Sequence, residues 1–326
     1  MQKSIFVSIL ADRFSDFLTF RGLGELKSKG QIGLLRHFDR FLAREGFQGQ
    51  WLTRELIERY AAQGEHLQPG SQGNRFSLVR QFCCYLCQFE PECFVPERRP
   101  PRQRRPARLP HVYTQNEMQA ILQAASQLLP AGSLRPKTYF TLFGLLYCTG
   151  LRCGEACGLN LSDVDLDEHL LIIRHGKFGK SRWVPIAAST SAALQRYLKE
   201  RMRFALADRE SPFFITSTGH RLYNANVDLA FRQVLKRCGL RGGKGCPGPH
   251  LHHLRHSFAC ARLLAWYREG VDVQVLLPTL ATYLGHVKFT STQVYLHATA
   301  ELLAEASQRF RNNFHQNISP KGGEGI

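Results

Sequence analysis

The stretch Pro249-His250-Leu251-His252-His253-Leu254-Arg255-His256-Ser257 sets four histidines and an arginine within seven residues and runs on into the apolar segment Phe258 to Trp266. Apolar positions recur every three to four residues from His253 onward, which predicts a helix over 253–268. His252 and His256 stand at i, i+4 on one face of that helix, the spacing of a zinc-binding pair. Two features oppose a metal: the glutamate of a His-Glu-x-x-His site is missing, and Arg255 would repel a dication. Histidines acting as caps and core packing are the plainer alternative. What the cluster does therefore depends on what the rest of the chain brings to it.

Three other segments bear on that question. Downstream lies Tyr283-Leu284-Gly285-His286, with Tyr295 nine residues after the histidine, between Val294 and Leu296. A tyrosine between two aliphatic residues is usually a buried aromatic. Upstream, Gly176-Lys177-Phe178-Gly179-Lys180-Ser181-Arg182 crowds three cations onto a turn between strand-like runs at 169–175 and 182–186. Lysines at a solvated hairpin tip would look the same. Further upstream, Cys148-Thr149-Gly150-Leu151-Arg152-Cys153-Gly154-Glu155 places an arginine at the start of a new helix, where free backbone N–H groups favour an anion. A surface ion pair between Arg152 and Glu155 is the competing reading.

Taken in order, Thr-Gly-Leu-Arg-x-x-Glu, Gly-Lys in a hairpin, His-x-x-Arg-His, Leu-Gly-His and a tyrosine nine residues on, the chain from Thr149 to His297 resembles the tyrosine recombinases, or phage-type integrases. The resemblance implies a mainly α fold with a small β-sheet (α+β). An N-terminal four-helix, SAM-like core-binding domain would precede a catalytic domain, the two clasping duplex DNA. It makes Tyr295 the nucleophile, Arg152 and Arg255 the clamp on the scissile phosphate, His252 and His286 the rest of the pocket, and Lys177 the proton donor, with Lys180 as fallback. Glu155 matches the acid one turn after the first arginine, and His256 is taken as structural. Phe178 stands where a small residue is common at the hairpin tip.

The implied reaction is attack of the Tyr295 phenol on a DNA phosphodiester, giving a 3′-phosphotyrosine and a free 5′-hydroxyl. A phenol of pKa near 10 is a poor nucleophile and an alkoxide a poor leaving group, so both ends need help: His252 accepts or relays the phenol proton, and Lys177 protonates the departing 5′-oxygen. Planar guanidinium forks suit the charge that builds on the non-bridging oxygens. No metal and no cofactor is then required. A tetramer on DNA is the family expectation, with residues after about Ala300 as candidates for docking on a neighbour, and with sister recombinases or accessory proteins as further partners.

The remainder of the chain fits this frame. Its 326 residues carry 43 Lys+Arg against 26 Asp+Glu, a formal charge of +17, which suits a polyanion as partner. Helical periodicity at 13–20, 32–44, 53–62 and 73–89 predicts a four-helix unit over residues 1–95. Residues 96–112 form an Arg/Pro-rich linker in which Arg98, Arg99, Arg102, Arg104, Arg105 and Arg108 can follow a phosphate backbone, or merely solvate a spacer. The catalytic domain is expected over 113–315, beginning with the capping-box pattern Thr114-x-x-Glu117, with helices at 115–129, 137–148, 188–207, 223–238 and 299–312; a frayed tail follows at 316–326. Ten cysteines are far too few for a disulfide scaffold, and Cys83, Cys84, Cys87 and Cys93 sit among aromatic residues as core thiols would. Neither a membrane-length apolar run nor a secretory signal is evident, so a cytoplasmic, nucleoid-associated protein is expected, and the short N-terminus favours a simple resolvase or mobile-element recombinase. A type IB topoisomerase-like enzyme, a catalytically silent DNA clamp and a metal-dependent hydrolase are the rival readings.

Overall fold

The computed structural model describes residues 5–22, 29–49, 51–97, 110–174, 181–205, 208–242 and 248–286, together with Thr292, Tyr295 and Ala304. The linker arginines, Lys177, Lys180, the expected helix at 299–312 apart from Ala304, and the tail at 316–326 lie outside the described residues. The chain divides into two compact units, Met1–Ala107 and Arg108–Ile326.

The first unit contains α1 (Ala11–Phe20), α2 (Lys29–Arg44), α3 (Arg54–Ala62) and α4 (Pro69–Leu86). Its core is largely aromatic: Phe14 stacks on Phe82 with centroids 4.1 Å apart, and Phe38 lies 4.7 Å from the Tyr60 ring. Cys83 and Cys93 are buried in the same core. The expected start of the fourth helix at Gly73 moves back to Pro69, because proline suits a first helical turn whose N–H has no partner to find. Buried Asp39 accepts hydrogen bonds from the backbone N–H groups of Val7 and Ser8 at 2.8 and 2.9 Å, which ties the segment before α1 onto α2.

The second unit contains α5 (Gln115–Ser126), α6 (Leu134–Thr149), α7 (Cys153–Gly158), β1 (Val164–Asp165), β2 (Leu170–Ile173), β3 (Arg182–Pro185), α8 (Ala188–Arg201), α9 (Asn224–Arg237), α10 (His253–Arg268) and α11 (Val273–Leu284). The strands form one antiparallel sheet in the order β1-β2-β3, with Ile173 opposite Arg182. Thr114 and Glu117 close both halves of their capping box at the start of α5. Three elements depart from expectation. β1 is two residues long, too short to show alternation. The eighth helix ends at Arg201 rather than at 207, since the buried Arg201 guanidinium donates to the carbonyls of Pro212 and Phe213 and turns the chain back. Helix α11 has no counterpart among the expected helices: its run VQVLLPTLATYL is apolar on nearly every side and holds Pro278, and its start is fixed by the Asp272 side chain accepting from Gln274 N–H at 2.9 Å. Among the described residues no helix is long and apolar enough to cross a membrane.

Candidate active site

Two helices end in glycine at the same place. Gly150 caps α6 with φ 62° and Gly285 caps α11 with φ 69°, left-handed conformations that glycine adopts without a Cβ penalty. A Cβ on Gly150 would stand 2.6 Å from the Phe258 ring, and one on Gly285 would stand 2.8 Å from the Arg182 guanidinium. The last carbonyls of a helix lack intrahelical partners and form its negative end. Here arginines take them.

Arg255, on the first turn of α10 and 2% exposed, donates from Nη1 to the Gly150 carbonyl at 2.8 Å and from Nη2 to the Leu284 carbonyl at 2.7 Å. Arg152, the residue that opens α7, donates from Nη2 to the Gly285 carbonyl at 3.0 Å. Arg182, at the start of β3, donates from Nε to the Tyr283 carbonyl at 2.8 Å. The C-terminus of α11 thus gathers three guanidinium groups from three different elements. Each guanidinium has five N–H donors, so the bonds to protein leave donors over for an anion.

Glu155 is the shared acid. Its carboxylate accepts from Arg152 Nη1 at 2.7 Å and from the Arg152 backbone N–H at 3.0 Å, while Arg182 grips both its oxygens at 3.1 and 2.9 Å. Burial works to raise its pKa, but the bonds from Arg182 and Arg152 outweigh burial and hold the carboxyl at about 2. The surface ion pair expected as the plainer reading of Arg152 and Glu155 is therefore a largely buried network whose second arm is Arg182. Arg182 was not among the sequence candidates. The signal was present, since an arginine closes the cationic hairpin, but it reads as one more tip charge until the register brings it to the α11 terminus.

The histidines surround this group. Burial first, then Arg255 and Arg152, lowers the His286 pKa to about 4, and its Nδ1 lies 2.7 Å from the Thr292 hydroxyl. Partial desolvation, then His256 and Arg255, lowers His252 to about 4. Arg255 itself is depressed to about 10 by burial and by repulsion from Arg152. The pocket thus carries more positive potential than its neutral imidazoles and single carboxylate offset.

Tyr295 lies 2% exposed at the centre of these groups, its ring 6.0 Å from His286 and 5.1 Å from His256. Burial raises its pKa, while Arg255, hydrogen-bonded to it, acts in the opposite direction. His256, expected to be structural, is in direct ring contact with Tyr295 and also meets the His252 ring at 5.1 Å. Its Nδ1 is buried without a hydrogen-bond partner among the described residues. Of the six expected site residues, Arg152, His252, Arg255, His286 and Tyr295 come together; Lys177 lies outside the described residues. Among the described residues no cluster of His, Cys, Asp or Glu has the geometry of a metal site.

Comparison with known proteins gives the family. The phage integrase family matches residues 111–301. The chain is 39% identical over 303 residues to a protein of Sinorhizobium fredii named as an integrase/recombinase, covering 90% of this chain and 94% of that one. It is 33% identical over 277 residues to the tyrosine recombinase XerD of Caulobacter vibrioides, covering 82% and 84%. In fold it is similar to the Tn1549 transposon integrase solved with circular intermediate DNA, with a TM-score of 0.64, 16% identity, and 91% and 98% of the two chains covered. The chain therefore belongs to the phage integrase family and is a site-specific DNA recombinase of the tyrosine type.

Proposed function

We propose that Tyr295 attacks the scissile phosphate, that Arg152 and Arg255 hold its non-bridging oxygens, and that His252 and His286 complete the pocket, with Lys177 delivering the proton to the departing 5′-oxygen. The observation that carries this assignment is the pair of arginines held close enough to repel one another, with Tyr295 against one of them. A phosphodiester between them supplies the missing negative charge and relieves that repulsion. As the phosphorane forms, the added charge meets donors already fixed by helix-end carbonyls, so little reorganisation is needed; each such donor contributes about 3 kcal/mol to the transition state. The aryl ester conserves the energy of the broken bond, and the free 5′-hydroxyl of a partner strand reverses the step.

Around this chemistry, residues 1–95 act as a core-binding DNA domain, 96–112 as a basic strap on the backbone, 113–315 as the catalytic domain and 316–326 as a tail. The working assembly is a tetramer on duplex DNA in the cytoplasm, integrating, excising or resolving a mobile element. The DNA complexes among the fold neighbours support the DNA reading. The test is incubation with nicked suicide DNA from the flanks of the protein's own gene, in excess EDTA, followed by mapping of the covalent peptide. A DNA adduct on Tyr295 is expected and should be absent in Tyr295→Phe; an adduct on another residue, or none with the wild-type chain, overturns the assignment.

A further inference from the structure

The helical unit holds a charge that strand transfer does not use. Arg75, on α4, is only 9% exposed. Its Nη2 donates to His37 Nδ1 at 2.7 Å and to the Tyr60 hydroxyl at 3.3 Å, and its guanidinium carbon lies 5.0 Å from the centre of the Tyr60 ring. Neither partner offers a negative charge. Burial, then Arg75, Arg44 and Arg40, lowers the His37 pKa, so this imidazole is neutral at pH 7. Burial raises Tyr60, so its hydroxyl stays protonated.

Among the described residues no carboxylate lies within ion-pair distance of Arg75, Arg40 or Arg44. Two acids near them in sequence are engaged elsewhere: Asp39 with the Val7 and Ser8 N–H groups, and Glu45 with Arg59 at 2.6 Å. A buried cation without a counter-charge is costly, and structures normally supply one. Here the opening faces outward. Arg75 borders a concavity of about 610 Å³ whose walls include Gly33, His37, Arg44, Gln63 and His66. A side chain at Gly64 would stand 3.4 Å from Arg75 Nη1, so glycine leaves that edge of the fork uncovered. Arg44 lines that wall, and Arg40, one turn before it on α2, also acts on His37; both are exposed.

We propose that this concavity seats a backbone phosphate of duplex DNA, with Arg75 as the pre-set fork and Arg44 as its flanking cation. The arrangement has three properties of a phosphate seat: a planar fork held in place before the ligand arrives, unneutralised positive charge, and an approach lined by further arginines. The proposal rests on the chain's action on DNA, and it is independent of which residues carry strand transfer.

The test is binding of the full chain to a labelled random-sequence duplex by fluorescence anisotropy across a salt series. For Arg44→Gln/Arg75→Gln the slope of log K against log salt is expected to shrink by about 0.9, the share of one phosphate, and for Arg44→Gln alone by a smaller part of it. Arg44→Gln alone alters an exposed residue, so it carries the test if the double variant loses its cooperative unfolding. In the wild-type chain the His37 imidazole resonances should shift on adding the duplex. An unchanged slope in Arg44→Gln, or an unmoved His37 signal in a chain that binds DNA, overturns the seat; failure of the wild-type chain to bind duplex at all would instead count against the DNA function itself.

Discussion

Glu155 decides the local electrostatics of the catalytic pocket. With its pKa at about 2 against an ordinary value of 4.5, its contribution to stability is complete above pH 4.5 and is lost as pH falls towards 2, because only the unfolded chain takes up the proton in between. The difference is worth about 3 kcal/mol. Glu155→Gln should therefore lower stability by about 3 kcal/mol at pH 7 and flatten the acid limb of a pH-dependent unfolding series between pH 4.5 and 2. Covalent capture of DNA should fall with it, since Arg152 and Arg182 both lose their shared anchor. His253 and His286, lowered from 6.5 to about 3 and about 4, carry the same sign at a higher pH. They stay neutral in the fold while the unfolded chain protonates, so stability should decline as pH drops from 6.5 to 4. Urea midpoints measured across that window give the check, and a midpoint that rose on acidification would contradict it.

At the level of single elements, the glycine caps of α6 and α11 carry more than chain reversal. Gly150→Ala combines a left-handed φ with a Cβ driven 2.6 Å from Phe258, and is expected to cost about 2 to 4 kcal/mol in thermal or urea unfolding. It should also cost activity out of proportion to stability, because the displaced carbonyl is the one Arg255 holds. These elements also mark what sequence alone could and could not say. Capping chemistry fixed the start of α5, whose end falls three residues before the expected 129, and 3.6-residue periodicity made α10 legible at both ends. Helix α11 escaped because its apolar residues run nearly all round and a proline sits within it, so periodicity offered no face to find. That Arg152, Arg255 and Tyr295 would be brought together was legible because their motifs are dense. Arg182 was not, since its role arises from strand register and from a helix end over a hundred residues away.

For the whole molecule, the separate cores of Met1–Ala107 and Arg108–Ile326 have a direct consequence. Produced as two polypeptides divided at 107/108, each should unfold cooperatively in calorimetry; loss of a transition in either half would mean that its core depends on the other. Neutralising Arg98, Arg99, Arg102, Arg104, Arg105 and Arg108 to Gln should weaken duplex binding and reduce its salt slope by about 0.9 for each phosphate that the linker ceases to neutralise. Loss of Arg152 or Arg255 should instead abolish covalent capture with most of the affinity retained. Opposite outcomes for the two sets of arginines would divide the charge of +17 into a part that sets affinity and a part that serves one bond.

Arg255 is held by two main-chain carbonyls, whereas Arg182 is held by both a carbonyl and a carboxylate side chain. Carbonyls cannot be substituted away, and no neighbouring codon encodes them. In a saturation mutagenesis screen, second-site changes should recover some function lost at Arg182 or Glu155 by re-pairing charge across that bridge. Lesions at Arg255 should have no such suppressors, for its partners are present whatever residue stands at 150 or 284, and only the position of the backbone can be altered.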